Sequence, residues 1–222
     1  MGRDLNALVR PVTVADLDAV AAIFAWYVEH TVTTFEETPR PVREWDELRV
    51  LLSDLGLPFL VAESDDGIAG YAYASPWRRK SGYRHTVENS VFVAHHLTGQ
   101  GIGRLLLTEL LSSCSASGAR QVIAVIADSD DPASAALHAA LGFTEAGRLA
   151  QVGYKHGRSI DTLLMQRWLP QQPRSPAQVE CVADSASWAG VADSASWAGS
   201  SCAGFSSTGF RTALGLSPGC SR

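Results

Sequence analysis

Apolar and polar positions along the first 169 residues follow the two periods that distinguish helices from strands. Helical spacing predicts a helix over residues 15–30 with Thr13 as its N-cap, and a second helix after Pro41. Shorter helices are predicted after residue 104 and over 132–141. Apolar runs bounded by turn signals predict strands at 8–10, 58–63, 68–73, 86–94, 121–126, 149–154 and 161–168. This order of elements predicts an α/β (α+β) domain.

The periodic pattern ends near Pro170, which predicts a folded domain over residues 1–169 and a low-complexity tail over 170–222. A nine-residue segment at 182–190 is repeated identically at 191–199. The tail has few apolar residues to offset its ordering entropy, so it is predicted to be disordered. The identical repeat suggests duplicated or frame-shifted coding sequence more than a selected function. The alternative is an interaction tail that uses Trp188 and Trp197.

Composition narrows the possible partners. The net charge of −5 argues against a nucleic-acid footprint, and no apolar run approaches the roughly 20 residues of a membrane span. The N-terminus has no apolar signal core, so a cytoplasmic location is predicted. Cys114 is expected to be a small buried residue, and the remaining cysteines lack metal-ligand spacing. His95 and His96 have no carboxylate partners nearby in sequence, so no metal is predicted.

A glycine-rich loop follows the predicted strand that carries Glu88. The loop is Gly99-Gln100-Gly101-Ile102-Gly103-Arg104, and it opens directly into a helix. It is not a Walker A loop, because Arg104 and Leu105 stand where Lys and Ser or Thr would be needed, and it lacks the third glycine of a dinucleotide fingerprint. Backbone N–H groups at a helix N-terminus suit a phosphate-bearing ligand. The alternative is a glycine-rich turn that binds nothing.

Three further features could carry chemistry. Partial burial would raise the pKa of Glu88 and suit it to take a proton from an ammonium, although a Glu on the solvent face of a strand is the alternative. His138 lies on an alanine-rich helix, where a structural role is common, yet an imidazole could protonate a departing thiolate. The basic and aromatic run 77–85 could grip a carboxylate or could be a solvated loop.

Together these residues resemble the GCN5-related N-acetyltransferase (GNAT) superfamily, and more closely its phosphinothricin and methionine sulfone/sulfoximine N-acetyltransferases. The motifs that carry the resemblance include Thr-Val-Glu at 86–88, the glycine loop at 99–104, Leu-His-Ala-Ala-Leu-Gly-Phe at 137–143 and Gly-Tyr-Lys-His-Gly at 153–157. The resemblance implies a GNAT fold. That fold is a twisted, mixed and mostly antiparallel sheet of about seven strands, flanked by about four helices.

The resemblance also implies residue roles, with acetyl-CoA as co-substrate and no metal. Glu88 would be the general base and His138 the general acid. The donor would be held by Val91, Phe92, Val93, Gly99, Gln100, Gly101, Ile102, Gly103, Arg104 and Asp131. The amino-acid pocket would be shaped by Phe35, Arg78, Tyr83, Arg84 and Tyr154.

Two positions depart from the family pattern. Thr98 stands where relatives usually have Gln or Arg, and Asp131 stands where they have Asn. If each change removes one ordinary hydrogen bond, acetyl-CoA binding is weakened by about 1–3 kcal/mol.

The implied activity is acetylation of the α-amine of a small amino acid such as phosphinothricin, methionine sulfone or methionine sulfoximine. The amine would attack acetyl-CoA directly in a ternary complex, and the enzyme would be a homodimer without nucleic-acid or membrane partners. Two alternatives stay open. One is an acetyltransferase for another amine, such as an aminoglycoside or a peptide N-terminus, and the other is a catalytically weak CoA-binding module.

Overall fold

The computed structural model describes residues 7–129 and 131–170. The predicted tail beyond Pro170, with its repeat, its two tryptophans and three of the four cysteines, lies outside the described residues. Cys114 is fully buried, as predicted, and burial raises the pKa of its thiol to about 12.

The described residues form seven strands and four α-helices, which confirms the predicted α/β architecture. The strands are β1 (Leu8–Pro11), β2 (Phe59–Ser64), β3 (Gly67–Pro76), β4 (Thr86–Val93), β5 (Gln121–Ala127), β6 (Thr144–Lys155) and β7 (Arg158–Trp168). The helices are α1 (Leu17–His30), α2 (Val42–Asp54), α3 (Ile102–Ala116) and α4 (Ala133–Ala140).

All seven strands join one mixed sheet in the order β1-β2-β3-β4-β5-β7-β6. The β4–β5 pair is parallel and every other pair is antiparallel. Pairing of β4 with β5 runs from Thr86 opposite Gln121 to Asn89 opposite Ala124. Beyond that point β4 stays with β3 while β5 stays with β7, so the sheet opens into a split between its two halves.

The two faces of the sheet differ in composition, and β3 shows why. Tyr71 and Tyr73 point to one face and Ala72 and Ala74 to the other, because side chains alternate along a strand. We call the first the aromatic face; it packs against α1 and α2 through Phe24, Trp45, Phe59, Tyr71, Tyr73 and Phe92. The second, the aliphatic face, packs against α3 through Leu106, Leu107, Leu110 and Leu111. Small residues on β3 leave room for α3 to approach the sheet.

Several predicted boundaries shift, and three of the shifts have a clear local reason. Helix α1 begins at Leu17 instead of residue 15 because Val14–Asp16 forms a 3₁₀ turn, in which the Asp16 carboxylate accepts the Thr13 N–H at 2.8 Å. Strand β6 begins at Thr144, five residues before the predicted start, because its bulged first half still pairs with β7. The final hairpin turns at His156 and Gly157, whose φ values of 49° and 76° suit a two-residue turn.

Candidate active site

A cavity of about 1030 Å³ occupies the split between β4 and β5. Both faces of the sheet contribute to its wall, because the split leaves a passage between them. Its wall includes both residues predicted to be catalytic, Glu88 and His138. Of the predicted donor-binding residues, the wall includes Val91, Phe92, Val93, Gly99, Gly101, Ile102, Gly103, Arg104 and Asp131, whereas Gln100 lies outside it.

The backbone of β4 turns alternate residues toward the split. In an antiparallel pair, every second residue directs its N–H and C=O to the partner strand. Thr86 accepts from Trp77 N–H at 3.2 Å and Ala94 donates to the Ala69 carbonyl at 2.9 Å, so the even-numbered residues of β4 face β3. Val91 and Val93 therefore direct their backbone groups into the split. The backbone N–H and C=O of Phe92 face β3. Of the three β4 residues predicted to bind the donor, only Val91 and Val93 therefore direct backbone groups into the split.

Tyr27 of α1 contacts the β4 backbone that faces the split. The sequence analysis did not identify this residue. Its hydroxyl donates to the Val93 carbonyl oxygen at 2.7 Å. Burial raises the pKa of Tyr27, so the phenol stays protonated and remains a donor. Helical periodicity alone gives no sign that a tyrosine on α1 reaches across to β4. The split is closed at the end where Asn89 pairs with Ala124. The accessible backbone group nearest this closed end is therefore that of Val91.

The glycine loop forms the second part of the cavity. Gly101 caps α3 with φ of 85°, and Gly99 has φ of 77°, a left-handed region that favours glycine. The first α-helical bond here runs from Leu105 N–H to the Gly101 carbonyl at 3.0 Å, so the N–H groups of the preceding turn point outward from the helix N-terminus. A Cβ at Gly103 would lie 3.3 Å from Leu137, so glycine lets α3 approach α4 closely.

Glu88 lies on β4 opposite Ser75 of β3, and its side chain shares the aromatic face with Ser90 and Phe92. The carboxyl group is half-buried, and this burial raises the pKa of Glu88 above its usual range. The positive charge of Arg78 acts in the opposite direction and limits the rise. The result is a carboxylate suited to exchange a proton closer to neutral pH than an ordinary Glu.

His138 lies across the sheet from Glu88. Its imidazole is 4% exposed, and Nδ1 lies 2.7 Å from the Ser134 carbonyl while Nε2 lies 2.9 Å from Nδ2 of Asn89. Burial lowers the pKa of His138, which favours the neutral ring. Asn89 follows Glu88 on β4, so its side chain is on the opposite, aliphatic face. The two predicted catalytic residues therefore approach the cavity from opposite sides.

Among the residues predicted to shape the amino-acid pocket, Phe35 contributes to the cavity wall. Its ring packs on Gly153, where a Cβ would lie 2.4 Å from the ring carbons. Arg78 stacks over Trp77 at 4.6 Å, and Arg84 donates to the Ser81 carbonyl at 3.3 Å. Like Tyr83 and Tyr154, which are 45% and 66% exposed, these two arginines lie outside the cavity wall of the single chain. Their assignment to the pocket stays a prediction.

A second set of residues missed by the sequence analysis holds the loop that carries Phe35. Lys155 is 2% exposed and donates from Nζ to the Thr34 carbonyl at 2.9 Å. Arg40 pairs with Glu36 and lies over the rings of Phe24 and Trp45 at 5.6 and 5.4 Å. Residues 36–40 lie in a loop, where a spacing of four does not bring side chains together as it does on a helix, so no signal for the Glu36–Arg40 pair was visible in the sequence. The contact of Lys155 is long-range and leaves no local signature.

The two departures from the family pattern have local partners. The Thr98 hydroxyl donates to the His95 carbonyl at 3.0 Å, and Oδ1 of Asp131 accepts the Ala133 N–H at 2.9 Å where α4 begins.

Across the described ranges no group of three His, Cys, Asp or Glu side chains could hold a metal ion. No helix in the same ranges is long and apolar enough to cross a membrane.

Comparison with known proteins gives consistent results. The acetyltransferase (GNAT) family matches residues 20–143. The chain is 48% identical over 159 residues to a phosphinothricin N-acetyltransferase of Alcaligenes faecalis, covering 72% of this chain and 81% of that protein. It is 37% identical to an L-methionine sulfoximine/L-methionine sulfone acetyltransferase of Pseudomonas aeruginosa, covering 73% and 94%. The GNAT superfamily phosphinothricin acetyltransferase of Sinorhizobium meliloti, solved with acetyl-CoA, superposes with a TM-score of 0.72 at 40% identity, covering 78% and 95%.

Proposed function

This chain belongs to the acetyltransferase (GNAT) family, and we propose that it transfers the acetyl group of acetyl-CoA to the α-amine of a small amino acid. The membership confirms the resemblance seen in the sequence and the predicted GNAT fold. Relatives that it resembles along most of their length are named for phosphinothricin and for methionine sulfoximine and sulfone. Amino acids of that kind, with a tetrahedral polar group at the end of the side chain, are the proposed acceptors.

The observation that carries the proposal is the split between β4 and β5, with a helix N-terminus at one end and a half-buried carboxylate at the other. The N–H groups of α3 favour an anionic phosphate. The backbone of Val91 offers an unsatisfied edge along which an amide-bearing chain can pair as an added strand does. Glu88 lies beside the closed end. Such a cavity fits a long ligand that is charged at one end and reactive at the other.

The residues present therefore fit acetyl-CoA. The glycine loop and the first turn of α3 would hold the pyrophosphate, and the edge of β4 would hold the pantetheine arm. Acetyl-CoA supplies the activated acetyl group when bound. The Val91 N–H is the backbone donor nearest the closed end of the split, and we assign it to the thioester oxygen.

Glu88 is proposed as the general base. An α-amine is mostly protonated at neutral pH and must lose a proton before it can attack. A carboxylate with a raised pKa accepts this proton more readily than an ordinary Glu, directly or through water. Glu88 lies on the aromatic face with Ser90, and Phe35 contributes to the same cavity wall, which supports placing the acceptor amine on that side of the split.

The proton returned to the departing thiolate comes in this proposal from water. The prediction that His138 donates it stays untested, but the contacts favour another role. In the neutral ring the one N–H proton is directed at the Ser134 carbonyl, which can only accept. The other nitrogen then carries a lone pair toward Asn89, not a proton toward the cavity.

The charges on the cavity wall bear on which amine is accepted. Glu36, Glu88 and Asp131 are matched by Arg40, Arg104 and Arg158. A polycationic aminoglycoside would favour a strongly acidic groove, whereas a small zwitterionic amino acid suits balanced charges. This balance supports the small amino acid over the aminoglycoside.

A homodimer is also proposed, as the family resemblance implies. Strand β6 lies at one edge of the sheet and exposes Leu149, Val152 and Tyr154, which are 46%, 59% and 66% exposed. Exposed apolar side chains on an edge strand suit association with a second copy. Light scattering at several concentrations would test the dimer, and a monomer at all of them would contradict it.

The experiment that tests the proposed function is CoA release from acetyl-CoA by the full chain. The acceptor panel contains phosphinothricin, methionine sulfone, methionine sulfoximine, ordinary amino acids, an aminoglycoside and an N-terminal peptide. Saturable turnover with the first three, at kcat/KM at least tenfold above the rest, is expected.

Faster turnover of the aminoglycoside or the peptide would reject the proposed acceptor class. Calorimetry with CoA distinguishes the remaining alternative. Binding of CoA without turnover of any amine would identify a CoA-binding module, and absence of both would reject the donor as well.

A further inference from the structure

Asn89 has a buried oxygen without a partner at the closed end of the split. It is the last residue of β4 that pairs with β5, and its side chain is 7% exposed. Nδ2 contacts His138, but Oδ1 is buried without a hydrogen-bond partner among the described residues. Because leaving a buried acceptor unpaired costs about 1–3 kcal/mol, a water or a ligand group that donates to this oxygen would be stabilising.

The orientation of the Asn89 amide follows from His138. The Ser134 carbonyl can only accept, so Nδ1 of His138 must carry the ring proton. In the neutral imidazole Nε2 then accepts, and the group of Asn89 that faces it must be the NH₂. Oδ1 is thereby turned away from His138, and a flipped amide would place two acceptors against each other.

Four buried polar atoms lack partners in the described part of the chain, and their positions differ. Trp45 Nε1, Tyr71 Oη and Thr162 Oγ1 belong to residues outside the cavity wall, whereas Asn89 belongs to the wall. A ligand in the cavity can therefore reach Asn89 and leaves the other three unchanged. This contrast indicates a binding role for Asn89 instead of a general packing defect.

We propose that Asn89 is a positioning residue for the acyl donor, whose Oδ1 accepts a hydrogen bond from the pantetheine amide N–H nearest the thioester, and that His138 holds Asn89 in this orientation as a hydrogen-bond acceptor. The inference rests on the proposed function, because it assumes acetyl-CoA in the split. A group that donates to Oδ1 would be stabilising, and the pantetheine arm carries amide N–H groups. Asn89 adjoins Glu88 and lies at the opposite end of the split from the glycine loop, so the amide close to the reacting end is the one assigned.

Calorimetry with CoA tests the proposal without turnover. In Asn89→Ala, CoA is expected to bind about 5- to 10-fold more weakly, as for one ordinary hydrogen bond. Adenosine 3′-phosphate 5′-diphosphate, which is CoA without its pantetheine arm, should bind to the variant and to wild type equally. Thr162→Val is the matched control, because it removes an unpartnered buried oxygen outside the cavity, and both ligands should bind to it as to wild type.

Two results of this titration would overturn the inference. Equal CoA affinity of Asn89→Ala and wild type would remove Asn89 from donor binding while leaving the proposed function intact. Failure of wild type to bind CoA at all would reject the proposed function and this inference with it.

The role of His138 has two measurements of its own, and the first needs no variant. Nitrogen-15 NMR of the histidine ring at neutral pH should show a neutral imidazole protonated on Nδ1, both free and with CoA bound. A ring protonated on Nε2, or on both nitrogens, would overturn the acceptor role. In His138→Gln, whose amide oxygen can accept from Asn89, kcat should depend on pH as it does in wild type. A fall of kcat at high pH that is present in wild type and absent from His138→Gln would instead identify His138 as the proton donor.

Discussion

The aromatic and aliphatic faces of the sheet differ in their packing and in the site residues they carry, although they share the same strands. The aromatic face buries tyrosine, tryptophan and phenylalanine rings together with Arg40, and Glu88 lies on it. The aliphatic face buries leucine and alanine under α3, and the Asn89–His138 pair lies on it. Neighbouring residues of one strand thus serve opposite sides of a single cavity.

If the proposed function is correct, this difference would separate the two reactants. Rings with polar tips can surround a polar amino acid while still filling a core. A plain aliphatic core holds α3 firmly against the strands, so the helix N-terminus and the β4 edge keep a fixed distance. We therefore expect changes on the aromatic face to affect the acceptor and catalysis, and changes on the aliphatic face to affect stability or the donor.

The largest expected effect is that of Glu88→Gln. This change keeps the shape of the side chain but removes the proton acceptor, so kcat should fall by about 10²- to 10⁴-fold. CoA affinity by calorimetry should stay within about twofold, because the donor is held from the other face. Glu109→Gln on the exposed side of α3 is the matched control and should keep wild-type kcat. Wild-type turnover by Glu88→Gln at neutral pH would show that Glu88 is not the base.

Leu106→Ala should have the largest effect on stability. Leu106 is fully buried on the aliphatic face, so truncation leaves a cavity and should lower the free energy of unfolding by about 3–4 kcal/mol. Its neighbour Leu105 is 41% exposed, and Leu105→Ala should cost less than about 1 kcal/mol. Urea denaturation measures both. A small loss for Leu106→Ala would mean that α3 does not depend on this packing.

Tyr71→Phe sharpens the comparison from the aromatic side. The Tyr71 hydroxyl is buried without a partner among the described residues, so removing it should change the free energy of unfolding by at most about 1 kcal/mol, toward greater stability. Tyr73, whose hydroxyl is hydrogen-bonded to Ser90, provides the contrast. Tyr73→Phe should destabilise the protein by about 1 kcal/mol, because it breaks a made bond. Equal losses for both variants would indicate that the Tyr71 hydroxyl has a partner.

Much of this organisation could be predicted from the sequence because it depends on local rules. Periodicity and turn residues located the four α-helices and seven strands that the described residues form. The glycine loop was predicted to lead into α3, and it does, since left-handed backbone at Gly99 and Gly101 is a local property. The helix begins at Ile102, three residues earlier than predicted. The predicted fold is confirmed for these reasons.

The contacts of the site could not be predicted, because they join residues far apart in the chain. The bond between Tyr27 and Val93 spans 66 positions, and the one between Lys155 and Thr34 spans 121. The partner of His138 is Asn89, which no motif identifies, so the sequence could suggest a titrating group but not its tautomer. Loop packing likewise decides that Phe35 lies on the wall of the cavity and that Arg78 lies beyond it.

The smallest expected effect concerns Arg78, which links the exposed basic run to Glu88. Its positive charge lowers the pKa of Glu88 against the larger effect of burial. The proposed base is the ionised Glu88, so removing the positive charge in Arg78→Ala should raise the pKa of Glu88 and move the acid limb of kcat/KM to higher pH. The shift should shrink at high ionic strength, because Arg78 is exposed and screened. Lys80→Ala, an exposed change in the same run, should leave the limb in place. An acid limb that Arg78→Ala leaves unmoved at low salt would exclude electrostatic coupling between this arginine and Glu88. A rise in the KM for the acceptor would instead assign Arg78 to substrate binding, as the sequence predicted.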